Sequence, residues 1–380
     1  MTIDMNEVTR LTRLGRLDEA MAMLRCEGSA AVAPDIKETP GDFIEMVQSA
    51  GAVWSAGFEA ATDSVAKTAK TRKPKVKLAD LVQQGAGFGR HGHGLSPAVV
   101  VPDGARFSEH SFTSAAGSRG YKLYVPTHRT GRPLPLIVML HGCTQSPDDF
   151  AAGTRMNELA EAHGFVVAYP AQGQTANMNR CWNWFNAADQ QRDHGEPAIL
   201  AGMVREIISE EAIDPARVFI AGLSAGGGMA AIMGAAYPEM FAGVGVHSGL
   251  PVGVAHDMPS AFAAMQGAGA RSSAAITVPT IVFHGDADTT VQAGNGKRVV
   301  EQASSRDLKA VRAAGVSAGG GGYTKTSYVG DRGTVVEDWV IHGAGHAWAG
   351  GNAAGSFTDP KGPDASTAMV RFFLALPVRR

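Results

Sequence analysis

Two different hydrophobic patterns divide the chain into two parts. Over 6–25 the apolar residues recur every three or four positions among charged ones, which predicts an amphipathic helix. A second helix is expected over about 41–70, followed by a basic run and by a glycine-rich tract at 85–94. We interpret residues 1–105 as a helical extension that ends in a basic, glycine-rich linker.

From residue 106 onward, apolar strands alternate with helices, which predicts an α/β fold: a mostly parallel sheet with helices on both faces. We treat 106–380 as one domain. An insert rich in alanine, methionine and glycine at 248–277 is expected to form a small cap. Strands are predicted at 121–126, 133–140, 165–170, 241–247, 278–284 and 335–342, and helices at 148–163, 199–212, 296–304 and 365–374.

Composition narrows the class of protein. With 380 residues, 44% of them hydrophobic, the chain is able to bury a large core. A net charge of −2 gives no reason to expect nucleic acid or an anionic membrane as a partner. The chain has no run of about eighteen apolar residues and no apolar secretory core near its start. We therefore expect a cytoplasmic protein, with export by a non-classical route left open.

One stretch carries a candidate nucleophile. An apolar strand beginning at Val218 ends in Gly222-Leu-Ser-Ala-Gly226, and a helix of small residues over 228–237 follows at once. A strand, a sharp turn and a helix around Gly-x-Ser-x-Gly form a nucleophile elbow, in which the serine hydroxyl is exposed above the sheet. The two glycines stand where a side chain would collide with the tightly turned backbone. Ser224 is therefore the predicted nucleophile.

A serine hydroxyl needs a histidine base, and a carboxylate that fixes the tautomer of that histidine. Asp286 and Asp288 follow the strand predicted at 278–284, where open parallel sheets build their sites. We expect Asp288 to reach across to the histidine, while Asp286 fastens the amides of its own loop. His346 lies on a glycine-rich loop before the last helix and is the expected base, with His342 as the alternative.

Acyl transfer also needs donors for the negative charge that develops on the carbonyl oxygen. The motif His141-Gly142-Cys143 directly follows the strand predicted at 133–140. The loop after this strand and the residue after the nucleophile are the usual sources of such donors in this kind of fold. We therefore expect the backbone amides of Cys143 and Ala225 to form an oxyanion hole.

Together these motifs resemble the esterases grouped with poly(3-hydroxybutyrate) depolymerases, whose relatives include feruloyl and acetylxylan esterases. The resemblance spans roughly residues 110–375 and implies an α/β-hydrolase fold with the catalytic triad Ser224, Asp288 and His346. It rests on the motifs Leu140-His-Gly-Cys143, Cys181-Trp-Asn-Trp-Phe185, Gly222-Leu-Ser-Ala-Gly226, His284-Gly-Asp-Ala-Asp288 and Gly345-His-Ala-Trp348.

The resemblance implies a bacterial serine esterase that acts on short-chain hydroxyalkanoate esters or on amorphous polyhydroxybutyrate. Its only expected partner is the ester substrate, and neither a metal nor an organic cofactor is implied. Two alternatives stay open: an esterase of the feruloyl or acetylxylan type, and a non-catalytic protein that binds polyester granules.

Two further expectations concern the loops around the site. Four aromatic residues are candidates for an apolar wall along the substrate, with packing inside their own loops as the alternative: Trp182, Trp184, Phe185 and Trp348. Cys143 and Cys181 follow strands expected to lie near one another, so a disulfide between them is predicted. A reducing cytosol would instead keep both as thiols.

Overall fold

The computed structural model describes residues 99–128, 131–304, 307–331 and 333–378. The chain divides into two units, Met1–Arg90 and His91–Arg380, and the described residues belong to the second. The helices predicted at 6–25 and 41–70, and the linker after them, lie outside the described residues.

Within the described residues, one large sheet is built from ten strands in the order β1-β2-β4-β3-β5-β6-β7-β10-β9-β8. The six strands from β4 to β10 in this order run parallel, and the two outer strands on each side are antiparallel. The carboxyl ends of the parallel strands therefore meet at one edge. The strands are β1 (Arg106–Ser114), β2 (Gly117–Val125), β3 (Leu134–Leu140), β4 (Val166–Pro170), β5 (Ile213–Leu223), β6 (Gly243–His247), β7 (Thr280–Gly285), β8 (Lys309–Val316), β9 (Gly322–Gly330) and β10 (Gly333–Ile341).

Helices cover both faces of the sheet, as the alternating pattern predicts. They are α1 (Pro147–Thr154), α2 (Met156–His163), α3 (Gly195–Glu210), α4 (Ala225–Ala236), α5 (Met258–Met265), α6 (Gly294–Ala303) and α7 (Ala365–Ala375). Along β3 every side chain is buried, and alternate residues enter two separate cores: Val138 belongs to the core that includes residues of α3, α4 and α6, whereas Ile137 belongs to the core that includes residues of α1, α2 and α7. A continuous apolar run such as that of β3 is typical of a strand that is buried on both faces.

The structure differs from the predicted elements in two respects. The helix expected over 148–163 is broken at Arg155, whose left-handed backbone (φ 53°) ends α1 and starts α2. Strands β1, β8 and β9 were not predicted, because β1 and β8 are largely exposed, β9 is mostly half-buried, and none of the three has a continuous apolar face.

The insert over 248–277 contains helix α5, which packs beside the start of α6. Asp257 caps α5 by accepting a hydrogen bond from the Ser260 amide at 2.8 Å. At its other end, the side-chain amide of Asn295 donates to the Ala264 carbonyl at 2.9 Å. No helix in the described part of the chain is long and apolar enough to cross a bilayer.

Candidate active site

The tight turn between β5 and α4 carries Ser224. Its backbone adopts φ 57° and ψ −119°, a strained conformation for a residue with a side chain, and its amide donates to the His247 carbonyl at 2.9 Å. A Cβ atom on Gly226 would lie far inside van der Waals contact with the carbonyl oxygens of Leu140 and His141. Only glycine therefore lets this turn pass so close to the end of β3.

A histidine and a carboxylate meet at the same edge of the sheet. Asp288 follows β7 and accepts a hydrogen bond on Oδ2 from Nδ1 of His346, which follows β10, at 2.7 Å. Its other oxygen, Oδ1, accepts from the amides of Thr290 and Val291 at 2.9 Å each. Since Nδ1 of His346 donates to the carboxylate, Nε2 of the neutral ring is left as an acceptor.

Asp288 is held as a carboxylate. Its side chain is fully shielded from solvent, and this burial alone would raise its pKa. Hydrogen bonds from His284 and His346 outweigh the burial and set the pKa of Asp288 well below its ordinary value. The His284 ring also donates from Nε2 to the Val291 carbonyl at 2.7 Å, which braces the loop that carries Asp288.

Asp286, the other candidate carboxylate, pairs with His342, the other candidate histidine. Oδ2 of Asp286 lies 2.9 Å from Nδ1 of His342, and its Oδ1 accepts from the Gly343 amide at 2.6 Å. The imidazole of His342 contacts the Thr324 hydroxyl at 2.9 Å through Nε2. Asp286 was expected to fasten the amides of its own loop; its carboxylate accepts from its own amide and also fastens the loop after β10. This pair is about half exposed, whereas the Asp288 side chain is inaccessible to solvent.

The turn after β3 presents the expected oxyanion donors. Its shape is fixed by the Gly142 amide, which donates to Oε1 of Gln145 at 2.8 Å, and by Nδ1 of His141, which donates to the Gly142 carbonyl at 2.7 Å. Burial lowers the pKa of His141 to about 4, so the ring is neutral near pH 7. Among the described residues, no acceptor bonds the amide of Cys143 or the amide of Ala225 at the start of α4.

A disulfide joins Cys143 to Cys181. The two cysteines follow β3 and β4, which are neighbouring parallel strands. Beside this bond, the Thr144 amide donates to the Asn179 carbonyl at 2.7 Å. The turn that carries the Cys143 amide is thereby fastened to the loop after β4.

Comparison with known proteins identifies the family of this chain. Residues 119–322 match the family described as Esterase PHB depolymerase, which is more than half of the chain. The chain belongs to this family. The match includes Ser224 and Asp288 and ends before His346.

Two bacterial relatives of this depolymerase-family chain are named as depolymerases of polyesters. Poly(3-hydroxyalkanoate) depolymerase C of Paucimonas lemoignei is 36% identical over 227 residues, which are 56% of this chain and 54% of the relative. Poly(3-hydroxybutyrate) depolymerase of Ralstonia pickettii is 31% identical over 249 residues, covering 60% and 50% of the two chains. The chain thus matches about half the length of these relatives.

A fungal relative is named as an acetylxylan esterase and not as a depolymerase. The probable acetylxylan esterase A of Aspergillus fumigatus is 32% identical over 161 residues, which are 42% of each chain. Among solved structures, an acetyl xylan esterase from Aspergillus awamori matches 63% of this chain and 94% of its own, with a TM-score of 0.52 and 22% identity. That structural likeness shows the shared α/β-hydrolase fold.

The aromatic residues proposed as a substrate wall are buried. Trp182 is 0% and Trp348 is 1% exposed, and their indole N–H groups donate to the His141 carbonyl at 3.1 Å and to the Ser366 hydroxyl at 3.0 Å. Trp184 and Phe185, at 6% and 9%, pack edge to face with ring centroids 5.7 Å apart. This burial corrects the expected wall: these side chains fill the interior behind the site and offer a substrate little or no surface.

Sequence reasoning missed a buried polar group behind the oxyanion turn. Glu196 on α3 accepts hydrogen bonds from the Asn183 amide at 2.8 Å, from Arg119 at 3.3 Å and from the side chain of Gln172. The backbone amide of Gln172 in turn donates to Nε2 of His141 at 3.1 Å. Burial raises the pKa of Glu196 to about 7. No local pattern marks these residues, because they are far apart in sequence.

Metal binding is not indicated by side-chain clustering. The part of the chain that the structure describes contains no group of three or more His, Cys, Asp and Glu residues placed to hold an ion.

Proposed function

We propose that this protein is a serine esterase that hydrolyses carboxylic esters through an acyl-enzyme. The observation that carries the proposal is the 2.7 Å hydrogen bond between Asp288 and His346, at the same sheet edge as the strained turn of Ser224. Membership of the Esterase PHB depolymerase family supports the same reaction.

Each residue has a chemical role in this proposal. The Ser224 hydroxyl attacks the ester carbonyl while Nε2 of His346 accepts its proton, and Asp288 stabilises the resulting imidazolium. The amides of Cys143 and Ala225 bind the oxyanion; one such donor is typically worth about 3–4 kcal/mol of transition-state stabilisation. His346 then donates the proton to the departing alcohol, and water releases the acyl group by the same steps in reverse.

The substrate class is proposed from the relatives. The bacterial ones are named for poly(3-hydroxyalkanoate) and poly(3-hydroxybutyrate), which favours short hydroxyalkanoate esters or amorphous polyhydroxybutyrate. Because one fungal relative is a probable acetylxylan esterase and another a feruloyl esterase, an esterase of the feruloyl or acetylxylan type is the second candidate. Initial rates on 3-hydroxybutyrate oligomers, acetylated xylan and a feruloyl ester would separate the two.

A serine-directed fluorophosphonate probe tests the reaction class. The wild-type chain should be labelled and should hydrolyse p-nitrophenyl acetate, whereas Ser224→Ala should do neither. Ser273→Ala, at an exposed position in the insert, is the matched control and should behave as wild type. A folded wild-type protein that stays unlabelled and inactive would instead support the non-catalytic, granule-binding alternative.

A further inference from the structure

Large apolar side chains left exposed in the described region are few, and two of them border the oxyanion turn. Phe357 is 47% and Met178 is 78% exposed. Most of the others lie on the edge strand β8, on α5 or near the ends of the described region. The exposed part of these two side chains gains no burial energy in the folded chain, and apolar surface beside a reactive site is a candidate for contact with a ligand.

Phe357 lies next to the loop of the catalytic histidine. Two short strands, β11 (Trp348–Ala349) and β12 (Thr358–Asp359), pair in parallel with Trp348 opposite Thr358. The amide of Trp348 also donates to the Phe357 carbonyl at 2.7 Å. Since paired strands lie about 4.8 Å apart, the backbone of Phe357 runs beside the residue that follows His346.

The backbone of Phe357 is held in a conformation that disfavours a side chain. Its φ of 52° is left-handed, a region that glycine or asparagine occupies at lower cost. The preceding Ser356 fixes it in place: its amide donates to Oδ1 of Asp149 at 2.9 Å, and its carbonyl accepts from Gln145 at 3.1 Å. Strain that neighbours enforce in this way is typical of functional sites.

Met178 lies in the loop after β4, which is hydrogen-bonded to the same turn. It precedes Asn179, whose carbonyl accepts the Thr144 amide at 2.7 Å, and Thr144 directly follows the oxyanion donor Cys143. The turn over 142–145 is thus flanked by Phe357 through the Gln145–Ser356 bond and by Met178 through the Thr144–Asn179 bond.

We propose that Phe357 and Met178 form an apolar rim that contacts the aliphatic acyl chain of the ester. The carbonyl carbon must lie between Ser224 and the Cys143 amide, so a chain attached to that carbon extends over the turn that this rim borders. The proposal rests on the esterase function given above and narrows its substrate class to esters with a chain of several carbons. An acetyl group is too short to make the same apolar contact with Phe357 and Met178.

The test compares two substrates in each variant. The quantity is the ratio of kcat/KM for p-nitrophenyl hexanoate to kcat/KM for p-nitrophenyl acetate. Phe357→Ala should lower this ratio about tenfold, since lost apolar contact with a few methylene groups is worth on the order of tenfold. Phe357→Leu, which keeps an apolar side chain, should restore most of it. Met178→Ala should lower the ratio as well, by less.

Val316→Ala is the surface control. Val316 is 71% exposed at the end of β8, five strands from β5 and thus about 24 Å across the sheet, so its ratio should equal that of the wild type. Circular dichroism and thermal unfolding establish that each variant is folded.

Three outcomes would count against the rim or against the reaction itself. A hexanoate-to-acetate ratio within twofold of wild type in both Phe357→Ala and Met178→Ala would overturn the rim. An unchanged ratio with slower clearing of an amorphous polyhydroxybutyrate suspension would also overturn it, because these side chains would then serve adsorption to a solid surface. If the wild-type chain hydrolyses neither ester, the proposed function fails before the rim is tested.

Discussion

Replacing Asp288 by asparagine tests the assignment of the carboxylate most sharply. Oδ1 of Asp288 accepts two backbone amides, from Thr290 and Val291, so the NH2 group of an asparagine cannot occupy that position without facing two donors. The NH2 group must therefore face His346, and Nδ1 of the histidine must become the acceptor. Nε2 then carries the proton and no longer accepts one from Ser224.

The expected loss follows from this tautomer. An asparagine in the equivalent role lowers kcat by about 10⁴-fold in serine proteases, which corresponds to a barrier higher by about 5.4 kcal/mol. We expect a loss of the same order for Asp288→Asn in the steady-state hydrolysis of p-nitrophenyl butyrate at pH 8. The KM should change far less, because the substituted group does not touch the substrate.

Asp286→Asn is the matched control for this prediction. It makes the same change two residues earlier, in a half-exposed pair with His342, and kcat should stay within about threefold of wild type because exposed ion pairs contribute little. If Asp286→Asn were the damaging substitution and Asp288→Asn the mild one, the triad would have to be built on the other pair.

The remaining predictions concern the turn, the disulfide, the extension and acid stability. Gly226→Ala should abolish activity and lower the melting temperature, since its Cβ would collide with the Leu140 carbonyl; a wild-type melting temperature would contradict this. Thiol titration of the denatured, unreduced protein should count one free cysteine of three, and reduction should lower the free energy of unfolding by about 3–4 kcal/mol, the entropy expected for a 38-residue loop. Deleting residues 1–98 should preserve hydrolysis of p-nitrophenyl butyrate, because every proposed catalytic group lies after β3; a soluble, folded but inactive truncation would refute this. Because burial lowers the pKa of His141 to about 4, the unfolded chain binds this proton first, and His141 should lower the free energy of unfolding by up to about 1.4 kcal/mol per pH unit between about pH 6.5 and 4. His247, whose pKa burial lowers to about 3, acts in the same direction, so His141→Gln should reduce the slope in urea titrations without abolishing it.

The central sheet and the order of the site residues could be predicted from the sequence. Continuous apolar runs such as β3 identify strands buried on both faces, and glycine-bounded motifs mark where those strands end. The outer strands could not be predicted in this way. In β8 every residue but one is exposed, so its place is set by pairing with β9 rather than by any apolar face.

The side-chain environment was harder to predict than the backbone. Trp182 lies in the loop after β4 and Trp348 in the short strand β11, two residues after His346, yet their indole rings are turned inward, where each N–H finds an acceptor. Phe357 is exposed instead, and no sequence motif distinguishes it from the aromatic residues that are buried. The network of Glu196, Gln172 and His141 depends on contacts between distant segments, which a local pattern does not encode.

The contact between Gly226 and the end of β3 has a consequence for how the sequence of this protein can change. Backbone meets backbone there, with no side chain between the turn of the nucleophile and the Leu140 and His141 carbonyls. This main-chain contact limits how closely the turn of the nucleophile and the end of β3 can approach, whichever residues fill the core. Repacking the core beneath should alter stability without retuning the chemistry, so new substrate preferences would have to arise in the outer loops.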